Sequence, residues 1–243
     1  TALYHYRGLT SFSSSNYYHT TRLLGNLGFA HNGVNSYLYN SFVPAVDSLL
    51  GLRYLALQND IGAHRQLEKI GQVGSGEGTY FIYRNRLALP LGFLVSEGIR
   101  DFSARKYNPF ATQDNLLSAM TGDATPLYSF LPITVQTDNT DGASTYSTQF
   151  SIKSGGSPAW FSATVTTAAQ YYVFVDCMAA KSATVTTHLA DGSEGNTWDA
   201  STDEPYIIDA GTLEAGATFE ISVSAEDAVS GNLYIAALDT ALL

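Results

Sequence analysis

Cysteine is almost missing from this chain of 243 residues, and Cys177 stands alone. No internal disulfide can form, and neither a C-x-x-C pair nor a cysteine-rich zinc site can be built. Cys177 lies in the run Tyr171-Tyr172-Val173-Phe174-Val175-Asp176-Cys177-Met178, which reads as a strand, so it is expected to be a small buried hydrophobe. Histidine is sparse as well. His5, His19, His31, His64 and His188 show no H-x-H or H-x-x-x-H spacing, and no zinc site is expected. No G-x-S-x-G elbow occurs, and Ser13 in its serine run reads as a turn or cap. Long apolar runs are absent too. Leu87 to Val95 falls far short of the roughly 18–20 residues that a membrane helix needs. No basic segment with an apolar core opens the chain, so no signal peptide is visible. The chain starts at Thr1 without a methionine, from which we expect a fragment of a longer protein.

Positive charge is missing from one half. Residues 1–125 carry ten Lys/Arg against eight Asp/Glu, a net +2, whereas residues 126–243 carry Lys153 and Lys181 against fourteen Asp/Glu, a net −12. Such asymmetry is a domain signal. An acidic half repels phosphate backbones, so no nucleic-acid partner is expected, and the same field opposes adsorption to anionic lipid. The charge serves solubility or, alternatively, a cation-binding face. Composition changes at the same place: residues 134–147 are polar, without apolar periodicity, and read as a connection. We place a boundary near residue 130.

The first part mixes helix and strand signals. Asn16 to Phe29 reads as a helix capped by Asn16, with Tyr17, Thr20, Leu23, Leu24 and Leu27 near the 3.6 period. Pro44 to Leu50 reads as a short helix led by its proline, with Arg53 to Leu57 following as a strand. Arg65 to Ile70 is ambiguous. The glycines from Gly71 to Gly78 superficially offer a phosphate loop, but no G-K-[ST] follows and the next segment is a strand, so a hairpin turn is expected. The strand at 79–84 is expected to pair with one near Leu91 to Val95. Asp114 to Met120 reads as a short helix closed by Gly122. Arg84 and Arg86 share one strand face at i, i+2 spacing. They are candidates for binding a phosphate or an acidic sugar, or else form a solvated edge that discourages aggregation.

The second part is strand-dominated. Phe161, Ala163 and Val165 alternate, as do Phe219, Ile221 and Val223. Further strands are expected at 147–153, 170–178, 183–189, 205–210 and 231–238, with turns at Asp191-Gly192-Ser193, Glu214-Ala215-Gly216 and Ser230-Gly231-Asn232. The fold expectation is therefore α+β: an N-terminal mixed α/β subdomain over 1–130, then an acidic antiparallel β-sandwich, jelly-roll-like, over 131–243. Sandwiches of this kind often hold carbohydrate on aromatic platforms. Trp160, Tyr171, Trp198 and Tyr206 are the candidates, Trp198 standing out because Asn196-Thr197-Trp198-Asp199 reads as a polar loop. The competing reading puts Trp160 and Tyr171 in the core and Trp198 over a sheet edge. Asp191, Glu194, Asp199, Asp203 and Glu204 form an acidic region that could supply oxygen ligands to a structural calcium or stay solvated, and their spacing matches no EF-hand. No other cofactor is expected.

Four blocks in the first part form a recognisable pattern: Ser11-Phe12-Ser13-Ser14 with Asn35-Ser36-Tyr37; Asp47 to Leu55; Tyr83-Arg84-Asn85 with Ala88-Leu89-Pro90-Leu91-Gly92-Phe93; and Asn108-Pro109-Phe110 with Gln113 to Leu117. Their order and spacing resemble the YfhO family of bacterial multi-pass membrane proteins over about residues 1–125. The second half fits only in general character. Each block also has a structural explanation, such as a hinge at Gly51 or a turned strand end at Pro90. The resemblance implies a membrane glycosyltransferase using lipid-linked sugars on lipoteichoic acid or related envelope polymers, with this chain as its extracytoplasmic domain. It further implies that the acidic catalytic residue lies elsewhere, so no catalytic residue is expected here. The implied partners are a cell-envelope glycopolymer or lipid-linked sugar and the transmembrane part of the same protein. A freestanding carbohydrate-binding module and, third, a hydrolase with paired carboxylates are the alternatives.

Overall fold

The computed structural model describes residues 9–62, 64–136, 140–141, 148–154 and 157–242. It is mostly antiparallel β-sheet. In chain order the strands are β1 Ser11–Phe12, β2 Ala30–His31, β3 Ser36–Leu38, β4 Tyr54–Leu57, β5 Leu67–Val73, β6 Tyr80–Asn85, β7 Tyr128–Phe130, β8 Thr134–Val135, β9 Thr140–Asp141, β10 Thr148–Ile152, β11 Ala159–Thr164, β12 Ala169–Asp176, β13 Ser182–His188, β14 Glu194–Ala200, β15 Ile208–Leu213, β16 Thr218–Ser224 and β17 Val229–Leu238. The helices are α1 Tyr18–Asn26, α2 Pro44–Leu49 and α3 Pro109–Thr121. Apart from β8, Gln136 and β9, the polar connection expected at 134–147 falls outside the described residues, as do His5 and Arg7.

Two sheets carry the second part. A front sheet runs β14-β13-β16-β11-β8, and a back sheet runs β15-β12-β17-β10-β9, with β7 pairing on β17. Alternation along β16 sends Phe219, Ile221 and Val223, all fully buried, toward the back sheet. They join one core with Phe161, Val185, Tyr171, Val173, Leu233 and Ile235. Strand β12 does not alternate: every residue from Gln170 to Asp176 is buried. The cause is a covering on both sides. Tyr171, Val173 and Val175 face the shared core, while Tyr172 and Phe174 belong to a second core with Leu24, Leu27, Phe29, Val43, Val46 and Phe110. Strand β17 divides in the same way, with Tyr234, Ala236 and Leu238 in the second core. The first part thus packs on the outer face of the back sheet. A smaller sheet, β4-β6-β5, closes over Phe42, Leu55, Leu67 and Tyr83.

Several local expectations are corrected. Helix α3 starts five residues before Asp114 because Asn108 Oδ1 accepts from Ala111 N–H at 2.9 Å and Pro109 takes the first helical position. Asn16 caps nothing. Helix α1 opens without a side-chain cap, and the Asn16 amide instead donates to Asn35 O at 2.7 Å. Strand β6 pairs with β4 and β5, not with 91–95, which forms no strand. The ambiguous 65–70 segment is most of β5, and the glycine run after it turns the chain into β6. Gly28, at φ +109, donates no Cβ to a tight seam: one placed there would lie 2.4 Å from Ile207 Cδ1, while Gly28 O accepts from Ile207 N–H at 2.9 Å.

Candidate functional site

Where α1, the start of α3 and the end of β12 converge, the surface forms a polar cleft of about 230 Å³. Helix α1 supplies Arg22, the turn before α3 supplies Arg105, Lys106 and Tyr107, and the back sheet supplies Phe174 and Asp176, with Asp203 opposite. That turn is built to hold its shape. Thr112, fully buried one turn into α3, donates from Oγ1 to Arg105 O at 3.0 Å and accepts from Arg105 N–H at 2.9 Å. The result is Tyr107 at φ +61, the residue 59% exposed. A left-handed tyrosine costs roughly 1–2 kcal/mol and persists only where its surroundings impose it.

The other walls are equally defined. His31 Nδ1 accepts from Gly33 N–H at 3.0 Å, which assigns the proton of the neutral ring to Nε2. Burial lowers the His31 pKa, against Glu204 and with help from Arg22. Its imidazole lies directly on Gly25, where a Cβ would come within 2.0 Å of Cδ2. Burial raises the Asp176 pKa, while Asn232 Nδ2, 3.4 Å away, favours the charged form. Arg22 donates to the Tyr18 hydroxyl and sits 5.2 Å from that ring's centre. Among the described residues, Arg105 and Lys106 form no ion pair. The cleft therefore offers cationic donors, carboxylate acceptors and an aromatic face, the set that recognises a hydroxyl-rich ligand bearing charge. Cys177 takes no part: it is buried, and its thiol is pushed up to about 12.

The four aromatic candidates do not form one platform. Tyr171 is fully buried, its hydroxyl donates to Thr167 O at 2.8 Å and its ring packs edge-on against Phe219, so it presents no face to a sugar. Trp198 lies in strand β14 opposite Val185, not in a loop, and packs with Tyr206 against the shared core from its margin. Burial and Asp199 raise the Tyr206 pKa. Trp160 sits on the outer face of the front sheet, opposite Ser222 and 36% exposed. Arg84 and Arg86 do meet, but around Glu68: Arg84 Nε lies 3.0 Å from Oε2 and the Arg86 guanidinium 3.2 Å from Oε1. In the acidic region, Asp191 accepts from Ser193 N–H at 2.9 Å, Glu194 and Asp199 lie on β14, and Asp203 faces the cleft. No group of three or more candidate metal ligands occurs among the described residues.

One polar group was missed by the reading of the sequence. Asp47 is fully buried in the seam; its Oδ2 accepts from the Tyr39 hydroxyl at 2.8 Å and from Val43 N–H at 2.9 Å. Desolvation holds its pKa up at about 8 despite these bonds, and desolvation with Asp47 drives the Tyr39 pKa up. The detectable signal was a carboxylate four residues past Val43, able to reach back to the start of α2.

Fold and cleft together define a predominantly antiparallel β protein with an α+β layer sealed onto one sheet and a polar recess at the junction. The family described as bacterial membrane protein YfhO matches residues 2–242, and the chain belongs to it. The match runs through the β-rich second part, well beyond the residues 1–125 spanned by the four blocks. Among them, Asn108 and Pro109 line the cleft. No helix of the described residues is long and apolar enough to cross a membrane. No curated protein matches the chain. Among solved structures, TmCBM61 in complex with β-1,4-galactotriose is 10% identical, covers 44% of this chain and 86% of its own, and has a TM-score of 0.29. A carbohydrate-binding module from Cellvibrio mixtus lichenase 5A in complex with cellotriose is 14% identical over 46% and 99%, at 0.28. The capsular polysaccharide assembling protein CapF from Staphylococcus aureus is 12% identical over 57% and 40%, at 0.22. Scores this low carry no property from those proteins to this chain.

Proposed function

We propose that this chain is an extracytoplasmic part of a membrane glycosyltransferase of the lipid-linked-sugar type. Its role is to position a cell-envelope glycopolymer, lipoteichoic acid or a relative, or a lipid-linked sugar, for bond-making done elsewhere in the protein. The cleft carries this reading. It combines a held aromatic face at Tyr107 with Arg105 and Lys106, which form no ion pair among the described residues, and carboxylates suited to sugar hydroxyls. We further propose a division into an N-terminal α+β part, 1–130, and a jelly-roll-like β-sandwich, 131–243. The four-strand orders β15-β12-β17-β10 and β14-β13-β16-β11 around one core support the sandwich. Calorimetric titration of the chain with a glycerol-phosphate polymer and with a neutral glucan tests the role. Saturable binding that weakens roughly tenfold or more in Tyr107→Ala is expected. Turnover of a lipid-linked sugar by this chain alone would overturn the non-catalytic assignment.

A glycan-binding module centred on Trp160, Trp198 and Tyr206 is the alternative. Loss of glycan binding in Trp160→Ala or Trp198→Ala, with Tyr107→Ala unaffected, would favour it. A hydrolytic reading has one observation behind it: Asp176 and Asp203 share the cleft, and burial raises Asp176 toward the protonated form a general acid needs. Hydrolysis of a chromogenic glycoside, abolished in Asp176→Asn, would establish it.

A further inference from the structure

The family block Leu87-Ala88-Leu89-Pro90-Leu91-Gly92-Phe93-Leu94-Val95-Ser96 contains no charge, yet its side chains are not in a core. Leu91 is 98% and Leu94 101% exposed, with Phe93 and Val95 also open to solvent. The segment is anchored at both ends. Leu89 N–H donates to Ser48 O at 2.9 Å, and Ser96 N–H donates to Met120 O at 2.7 Å at the end of α3. Between the anchors, the chain projects an apolar tip. Behind the tip runs an apolar groove of about 350 Å³, lined by Val46, Leu49, Phe93, Leu116, Leu117 and Met120. Tip and groove form one continuous hydrophobic surface, and Leu91 and Leu94 are the most exposed large apolar side chains among the described residues.

We propose that this tip is immersed in the bilayer surface, with the groove at the level of the headgroups. Three observations select lipid as the occupant. Two neighbouring leucines free of contact on nearly all sides sit on a convex projection, which a fluid apolar medium covers more readily than a rigid partner does. Charge in the adjoining stretch does not oppose an anionic membrane: with Arg84 and Arg86 closed on Glu68, residues 87–113 carry Arg100, Arg105 and Lys106 against Glu97 and Asp101, a net +1, while the −12 of the second part belongs to the sheets beyond. And the chain belongs to a family of bacterial membrane proteins. The inference does not depend on what the cleft binds.

The test uses sedimentation of the chain with vesicles of pure phosphatidylglycerol and, in parallel, pure phosphatidylcholine. Leu94→Trp provides a reporter at the tip. Its emission is expected to shift to the blue on adding vesicles and to be quenched by brominated acyl chains. The double variant Leu91→Ser, Leu94→Ser is expected to lose roughly tenfold or more in partitioning. Its thermal unfolding should match that of the parent, since both side chains contact almost nothing. Absence of vesicle binding to either lipid overturns the proposal, as does equal binding by the double variant. A Leu94→Trp signal that is shielded without lipid, in a species of twice the mass, assigns the surface to a second copy of the chain and overturns it as well.

Discussion

Two cation pairs of the first part, Arg84 with Arg86 and Arg105 with Lys106, look alike in sequence and differ in the fold. The first pair closes on Glu68, which accepts from both guanidiniums. The second stands on a turn held by Thr112 and has no carboxylate within ion-pair distance among the described residues. Density of charge therefore marks neither as a site. What separates them is whether the fold has already satisfied the donors and whether it spends strain to hold them in place. By that measure the strained Tyr107 turn is the one our proposal takes as the ligand site.

The comparison breaks most severely at the hydroxyl that holds the turn. Thr112→Val keeps the shape but removes both bonds to Arg105, leaving the Arg105 N–H without this acceptor while its C=O keeps only the longer bond from Asn108 N–H at 3.4 Å. A loss of about 1–3 kcal/mol in denaturant unfolding is expected, together with ligand binding at the cleft. An effect of a different kind, dependent on pH, is expected at Asp47, a buried carboxylate whose partner is the Tyr39 hydroxyl. Its pKa is raised from the ordinary 3.8 to about 8, so its contribution to stability is complete below the unfolded value and is lost as pH rises through about 8. Unfolding midpoints measured from pH 4 to pH 9 should fall along this window in the parent and fall less in Asp47→Asn. A third variant sharpens the argument about strain. Tyr107→Gly should stabilise the chain by up to about 1 kcal/mol, through release of the left-handed conformation, while it removes the aromatic face and weakens glycan binding. The smallest change is expected at the satisfied pair: Glu68→Gln should leave thermal stability nearly unaltered, because Glu68 is only partly covered and both guanidiniums reach solvent. It should, however, create weak sulfate binding at Arg84 and Arg86 that the parent lacks, measurable by NMR titration.

How far the sequence was legible follows from what each residue faces. Strand β16 was read correctly because the buried Phe219, Ile221 and Val223 alternate with half-buried polar positions. Strand β14 was missed, and Trp198 with it, because an edge strand buries little and Glu194-Gly195-Asn196-Thr197 shows no alternation. The run Leu91 to Val95 was read as a strand from its hydrophobicity alone, an inference that assumes the partner is protein. Helix α3 came out too short because its start is set by an asparagine cap and a proline rather than by apolar period. The cleft was out of reach for a different reason. Arg22, Arg105 and Lys106 were visible as charges, but their meeting with Asp176 and Asp203 spans both halves of the chain, and a left-handed tyrosine leaves no trace in composition. Asn108-Pro109-Phe110, a family block, was the nearest clue.

Strands β12 and β17 bury large side chains on both faces, Tyr171 and Tyr172 back to back on β12, Tyr234 and Ile235 on β17. Nothing in such a middle layer can be wetted from one side only. A chain severed near residue 130 would leave Tyr172, Phe174 and Tyr234 facing water, a sticky sheet in place of a finished surface, and the two pieces should neither dissolve nor melt as independent bodies.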